Sequence, residues 1–251
     1  MGLQTVDRAV AVLQVLGTGG PAGLRLVDVQ GKLKLSKPTA HRLLTSLVSH
    51  GLVEQDDVTR RYCLGTRLAV LAWSVPQRMP DLRRLGAMSV HRLAYETGDS
   101  VYLMACDGLE SVCVAYQWGS FPIKAISIEV GTRRPLGVGA GGIAMLAALP
   151  PDEARRALDI VAPRLKGYPL TSMPTIKRLV EQARRTGYGV STGHVADGVS
   201  AISVAIRDAR SAPIGSIGIA AIRSRMGPER IRSLLPVLLE EREQIERQLA
   251  R

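Results

Sequence analysis

Apolar residues recur with a helical period through residues 5–17, where Val6, Ala9, Val10, Leu13 and Leu16 form one stripe. A second, shorter helix is predicted over 24–35, with Leu26, Val29 and Leu33 inward. The turn Lys34-Leu35-Ser36 leads into a third helix, whose Ala40, Leu43, Leu44, Leu47 and Val48 again share one face. Ser36 stands where an N-cap is wanted, and Pro38 falls in the first turn, where a missing N–H costs little. Gly51 ends this helix as a C′ glycine would. Leu52-Val53 and Tyr62-Cys63-Leu64 then read as short strands, with Asp56, Asp57 and Thr59 in the turn and Arg60 and Arg61 at its edge.

The polar face of the third helix carries Lys37, Thr39, His41, Arg42, Thr45, Ser46 and Ser49. A polar helix face ordinarily just meets solvent. Here the order helix, helix, tight turn, helix, two-stranded wing is that of a winged helix-turn-helix. Short hydroxyl and cationic side chains on such a helix reach phosphates and base edges in a major groove. The expected DNA contacts are Ser36, Lys37, Thr39, His41, Arg42 and Thr45, with Arg60 and Arg61 meeting backbone or minor groove from the wing. A pair of chains at least is expected, because one recognition helix reads too few base pairs for operator specificity.

The first domain is predicted to span 1–64. A linker helix follows within 65–80, with Leu68, Leu71 and Ala72 on one stripe, Trp73 beside it, and Pro76 and Pro80 breaking it. The remainder, 81–251, opens with a helix over 81–97 closed by Gly98. Residues 100–106 and 111–117 read as a hairpin around Asp107-Gly108, and 123–129 as a third strand. Helices are predicted over 142–149, 151–161, 173–187 and 228–250, and strands over 188–192, 199–207 and 214–222. Strands alternating in this way with helices predict an α+β domain with one antiparallel sheet. Alternation puts Val199, Ala201, Ser203 and Ala205 on one face, beside Ser216, Gly218 and Ala220 of the next strand.

Three segments, TVDRAVAVLQVL, LSKPTAHRLLTSLVSHGLVE and YCLGTRLAVLA, resemble the IclR family of bacterial transcriptional regulators, and the resemblance continues through nearly the whole chain. It implies a GAF-like effector-binding domain over 81–251, a linker helix that helps pair two chains, and dimers of dimers on a palindromic or repeated site. It also implies an effector pocket lined by the glycine loop and the last strands. On that pattern Ala201 stands where cysteine is frequent, Ser191 where an acid is frequent, and Gly218 and Ala220 where serines are common. The expected wall comprises Ile123, Arg134, Val138, Ala140, Gly141, Ser191, His194, Ala201, Ser203, Ser216, Gly218 and Ala220. Losing a thiol, a carboxylate and two hydroxyls makes a wider, less polar pocket, suited to a small aromatic carboxylic acid such as 4-hydroxybenzoate.

Composition changes this picture little. The 251 residues, 46% hydrophobic, suffice for two small domains. The net charge of +11 favours a polyanionic partner, yet it is spread along the chain, so the helix pattern carries the argument. Cys63, Cys106 and Cys113 have no metal spacing and read as buried reduced thiols of a cytoplasmic protein. No signal peptide, membrane span or cofactor is expected. Gly137-Val138-Gly139-Ala140-Gly141-Gly142 matches G-x-G-x-x-G, but Thr132–Pro135 does not read as the preceding strand and no acid follows at the dinucleotide spacing. The glycines instead suit a close approach to a small anion at a helix start, or turn geometry alone. Glu240, Glu241, Glu243 and Glu246 among Arg242 and Arg247 read as a solvated face. No nucleophile–base pair appears, which argues against an enzyme; the helix-turn-helix pattern and the IclR resemblance imply a ligand-responsive regulator of a catabolic operon. A constitutive DNA-binding protein and an enzyme acting on a small acid are the alternatives.

Overall fold

The computed structural model describes residues 3–73, 81–124, 128–168 and 171–250. The chain forms two compact units, Met1–Arg78 and Met79–Arg251. In the first, α1 (Gln4–Gly17), α2 (Leu26–Leu33) and α3 (Lys37–Ser49) precede a two-stranded antiparallel wing, β1 (Val53–Gln55) and β2 (Tyr62–Leu64), and then α4 (Arg67–Trp73). Val12, Leu16, Val29, Leu44, Leu47, Val53 and Tyr62 make its core. Leu24 and Tyr62 exchange backbone hydrogen bonds of 2.8 and 3.0 Å, which ties the wing to the α1–α2 connection.

Two expectations about facing are corrected. Val6 and Val10 are 55% and 46% exposed, and the packed side of α1 runs through Val12 and Leu16. This helix is apolar on more than one side, so periodicity alone cannot choose the inward stripe. Val48 is likewise exposed. The end of α3 is as expected. The Gly51 N–H bonds the Val48 carbonyl and the Leu52 N–H bonds the Leu47 carbonyl, the two crossed bonds of a Schellman closure, with Gly51 at φ 68°. The predicted linker helix is described over Arg67–Trp73; Pro76 and Pro80 lie outside the described residues.

The second unit contains α5 (Leu82–Thr97), β3 (Ser100–Asp107), β4 (Glu110–Gln117), β5 (Arg133–Pro135), α6 (Gly139–Ala148), α7 (Pro151–Val161), α8 (Met173–Thr186), β6 (Gly189–Thr192), β7 (Val199–Arg207), β8 (Pro213–Ile222) and α9 (Pro228–Leu249). The strands form one sheet, β5-β4-β3-β8-β7-β6, antiparallel at each pairing. Helices α5 and α9 pack on the face showing Val101, Leu103, Ile202, Val204, Ile217 and Ile219. Helices α6, α7 and α8 pack over the opposite face. The hairpin turn is Gly108-Leu109, since Asp107 pairs with Glu110.

Two boundaries and the setting of one residue differ from expectation in ways that matter below. The third strand is Arg133–Pro135 rather than 123–129: Ile123, Lys124, Ile128 and Glu129 are not in a strand, and 125–127 lie outside the described residues. Arg-Arg-Pro has no apolar alternation to announce it; it is a strand because it pairs with Glu110–Val112 of β4. The strand missing from the glycine motif is therefore present. It is an antiparallel edge strand, so the βαβ setting of a dinucleotide site is still lacking. Helix α6 begins at Gly139, not 142, so the glycines form its first turn. Finally, Glu241 is 6% exposed and pairs through both carboxylate oxygens with Arg92 of α5, at 2.7 Å each. It is a buried link between α5 and α9 rather than part of a solvated face. Among the described residues no helix is long and apolar enough to cross a membrane, and no group of His, Cys, Asp or Glu could hold a metal.

Candidate functional site

Burial of Ala40, Leu44 and Leu47 fixes the rotation of α3, and that rotation exposes the predicted contact face. Ser36, Lys37, His41, Arg42 and Thr45 are exposed and Thr39 is half-buried. Ser36 does not cap the helix through its side chain. Its hydroxyl lies 2.8 Å from that of Thr39, so the two form a paired hydroxyl edge at the N-terminus of α3. At the wing, Asp56 Oδ1 accepts from the Val58 N–H, the Thr59 N–H and the Thr59 hydroxyl. These bonds, Thr59 N–H foremost, hold its carboxyl below the usual aspartate range. The turn so shaped carries Arg60 at φ 57° with its side chain exposed. Arg61 is turned inward by comparison: its Nη1 donates to the Gly23 carbonyl at 2.9 Å.

In the second unit a cavity of about 70 Å³ lies between the sheet and the first turn of α6. The register creates it. Ala201 pairs with Ala220 and Ser203 with Gly218, so four small residues meet on the face under α6. A Cβ on Gly218 would stand 2.8 Å from Ser203 Oγ, and one on Gly141 would stand 2.6 Å from Ser216 Oγ. Glycine at 141 lets α6 approach the sheet, and glycine at 218 leaves room for Ser203 on the neighbouring strand. Tyr102 and Met104 of β3 extend the floor, and Ile128, Val138, Val195 and Val199 supply apolar walls.

The polar groups are few. Arg134 of β5, Ser111, Ser191 and Ser203 line the cavity. Burial lowers the Arg134 pKa, while neighbouring Tyr168 and Tyr102 oppose that shift; the guanidinium stays cationic at neutral pH. Its neighbour Cys113 is a neutral thiol, pushed up to about 12 chiefly by burial. The Ser203 hydroxyl donates to the Ile217 carbonyl at 2.8 Å and so can only accept from a guest. The first-turn N–H groups of α6 have no partner within the helix and bias that end toward negative charge. An apolar slot with one half-buried cation and a helix N-terminus can hold a small anion with an apolar body.

Of the expected wall, Arg134, Val138, Ala140, Gly141, Ser191, Ala201, Ser203, Gly218 and Ala220 come together here. Three do not. Ile123 is 60% exposed and away from the cavity. His194 lies outside the lining: its Nδ1 accepts from the Thr192 N–H at 3.1 Å, and burial, Arg178 and Arg223 keep its pKa low. Ser216 points to the cavity face, but Gly141 sits directly on its hydroxyl and seals it away. Residues lining the cavity outside the expected wall include Tyr102, Met104, Ser111, Ile128, Val195 and Val199. Alternation on β3 was the available signal for the first two; Ile128 had none. Arg133, adjacent to Arg134, is occupied by Asp107 and Glu110 at the surface.

The IclR helix-turn-helix domain matches residues 5–57, and the C-terminal domain of bacterial transcriptional regulator IclR matches residues 77–247. The chain belongs to the IclR family of bacterial transcriptional regulators. It is 29% identical over 224 residues to the glycerol operon regulatory protein of Streptomyces coelicolor, covering 89% of this chain and 87% of that one. It is 26% identical over 232 residues to the transcriptional regulator XynR of Escherichia coli, with 89% and 88% covered. The crystal structure of Thermotoga maritima IclR matches both chains throughout, with a TM-score of 0.73 and 25% identity. A structure of an IclR homolog from Microbacterium hydrocarbonoxydans complexed with 4-hydroxybenzoate shares the fold at TM-score 0.71 and 21% identity, covering 98% of this chain and 99% of that one. The chain is thus a DNA-binding regulator of the IclR type, with a helix-turn-helix domain and an antiparallel-sheet domain of the kind that binds small-molecule effectors.

Proposed function

We propose that this IclR-family chain regulates a catabolic operon in response to a small carboxylic acid with an apolar, aromatic body. The cavity under α6 carries the reading: apolar walls around one half-buried guanidinium, Arg134, facing a helix N-terminus. The carboxylate would lie toward Arg134 and Gly139–Gly141, and a ring over Ala201, Gly218 and Ala220. The bound 4-hydroxybenzoate of the Microbacterium homolog, a protein of the same fold, supports an acid of this class. The Streptomyces glycerol operon regulator favours a second reading, a polyol or its phosphate ester, because Arg134 and the helix N-terminus suit a phosphate equally well.

Ser36, Lys37, Thr39, His41, Arg42 and Thr45 would contact operator DNA, with Arg60 at the wing and Arg61 contributing less because it also braces Gly23. The chain would act in the cytoplasm as a dimer, and as a dimer of dimers on longer operators, each α3 reading one half-site. The effector would act by binding one arrangement of the paired DNA-binding domains more tightly than the other.

Calorimetric titration with benzoate, 4-hydroxybenzoate, glycerol and glycerol 3-phosphate tests the effector class. An aromatic acid is expected to bind in the micromolar range and Ala201→Trp to abolish that binding with operator affinity unchanged. Equal binding to the Ala201→Trp variant would move the effector out of this cavity. Arg42→Ala is expected to weaken operator binding by about 1–3 kcal/mol if Arg42 reads a guanine, most strongly at one base position. Undiminished affinity on every operator variant would take Arg42 out of the interface.

A further inference from the structure

At the other end of α6 from the effector cavity lies a second cavity of about 160 Å³, bounded by α6, α8, β7 and α9. Its walls include Ala144, Ala147 and Ala205, small residues that leave room, and three arginines, Arg184, Arg207 and Arg242. Each guanidinium makes at least one hydrogen bond. Arg207 Nη1 donates to the Ala148 and Ser211 carbonyls, at 3.0 Å each. Arg184 Nη2 donates to the Leu149 carbonyl at 3.3 Å, and Arg242 Nη2 to Glu243 at 3.2 Å. Two of these anchors, to Ala148 and Leu149, use carbonyls at the end of α6.

The Nε atoms of Arg184 and Arg242 are both buried without a hydrogen-bond acceptor. The carboxylates nearby do not supply one. Glu246 stands 3.7 Å from Arg242 Nε, and its other oxygen accepts from the Arg207 backbone N–H at 2.8 Å. Glu181 is 3.6 Å from Arg184 Nη1, and Glu181 and Glu243 have side chains 67% and 57% exposed, so solvent screens both. A buried charged donor without an acceptor is costly, and two arginines that carry one line the same cavity with a third, which favours an oxyanion there. Planar guanidinium groups brought to one cavity by three elements suit a tetrahedral oxyanion with several acceptor atoms.

We propose that Arg184, Arg207 and Arg242 form a second anion site, for a phosphate group carried as the free ion or as a phosphomonoester. Bound there, the anion would tie α8, β7 and α9 together at the end of the sheet unit away from the effector. This site is independent of the effector reading, since it shares no lining residue with the first cavity.

Thermal unfolding of the full chain, titrated at constant ionic strength with inorganic phosphate and separately with glycerol 3-phosphate, tests it. Saturable stabilisation is expected, about 3 °C or more at ~20 mM of the better ligand. A lower midpoint with the ester identifies the bound group as a phosphomonoester, and with phosphate as the free ion. The Arg184→Gln/Arg242→Gln double variant is expected to lose the increment. Arg184→Lys/Arg242→Lys, which keeps the charge and the fold but not the forks, is expected to lose more than half of it. Arg155→Gln, on exposed α7, is expected to keep all of it. A rise that is linear, unsaturating and equal in every variant would be general salt stabilisation and would overturn the proposal. So would the absence of any rise in the parent chain.

Discussion

Arg92→Ala is expected to cost the C-terminal unit about 3 kcal/mol and to reverse the sign of the pH dependence that Glu241 contributes. Arg92 on α5 donates to both oxygens of Glu241 on α9 and to Gln244 Oε1, and the Glu241 side chain is only 8% exposed. Two opposing effects set the Glu241 carboxyl: burial pushes its pKa up, while Arg92, with help from Ser89, pulls it down, and the net is a lowered value. In the parent chain Glu241 therefore contributes stability above its ordinary value of 4.5, and loses it as pH falls through the lowered one. Without Arg92, burial is expected to outweigh Ser89 and to raise the folded-state pKa above its ordinary value. The contribution then persists at low pH and is lost as pH rises through the raised value. Glu241→Ala should cost less, about 2 kcal/mol, because the stranded Arg92 is 38% exposed and can rehydrate. Urea unfolding followed by circular dichroism from pH 4 to 7 measures both. A loss under about 1 kcal/mol with the parental slope would show that the pair does not hold α5 to α9.

Arg134→Gln is expected to weaken binding of the effector acid by about 30- to 100-fold, roughly 2–3 kcal/mol, while leaving operator binding without effector as it was. Arg134 is the cation that lines the cavity among the described residues. Its neighbour Arg133 is held at the surface by Asp107 and Glu110 and cannot substitute. The variant should also lose the preference for an acid over its neutral amide, which mere loss of packing would not remove. An unchanged preference would assign the carboxylate to the α6 N-terminus alone.

The cavity floor was legible because a strand has a period of two. Placing Ala201 and Ser203 on one face of β7, and Gly218 and Ala220 on the same face of β8, needed only alternation, and the register brings these four side by side. The rotation of α3 was legible for a similar reason, since Ala40, Leu44 and Leu47 form a single apolar stripe. Features set by tertiary pairing were not legible. Strand β5 is Arg-Arg-Pro, which carries no strand pattern and exists through its pairing with β4. Ser216 has the right face but the wrong neighbour, because Gly141 settles on its hydroxyl. Helix α1 offered two apolar sides and the core took the one through Val12. Glu241 looked like its solvated neighbours because Arg92, its partner, lies 149 residues away.

Fluorescence anisotropy of labelled DNA from upstream of this chain's own gene, titrated with the protein at fixed salt and with and without saturating 4-hydroxybenzoate or benzoate, tests the central claim most directly. The account predicts specific, salt-dependent binding that one of these acids shifts at least fivefold in the parent chain and leaves unmoved in Ala201→Trp. Tight binding indifferent to every small acid in the panel would contradict ligand control through this cavity and leave a constitutive DNA-binding protein.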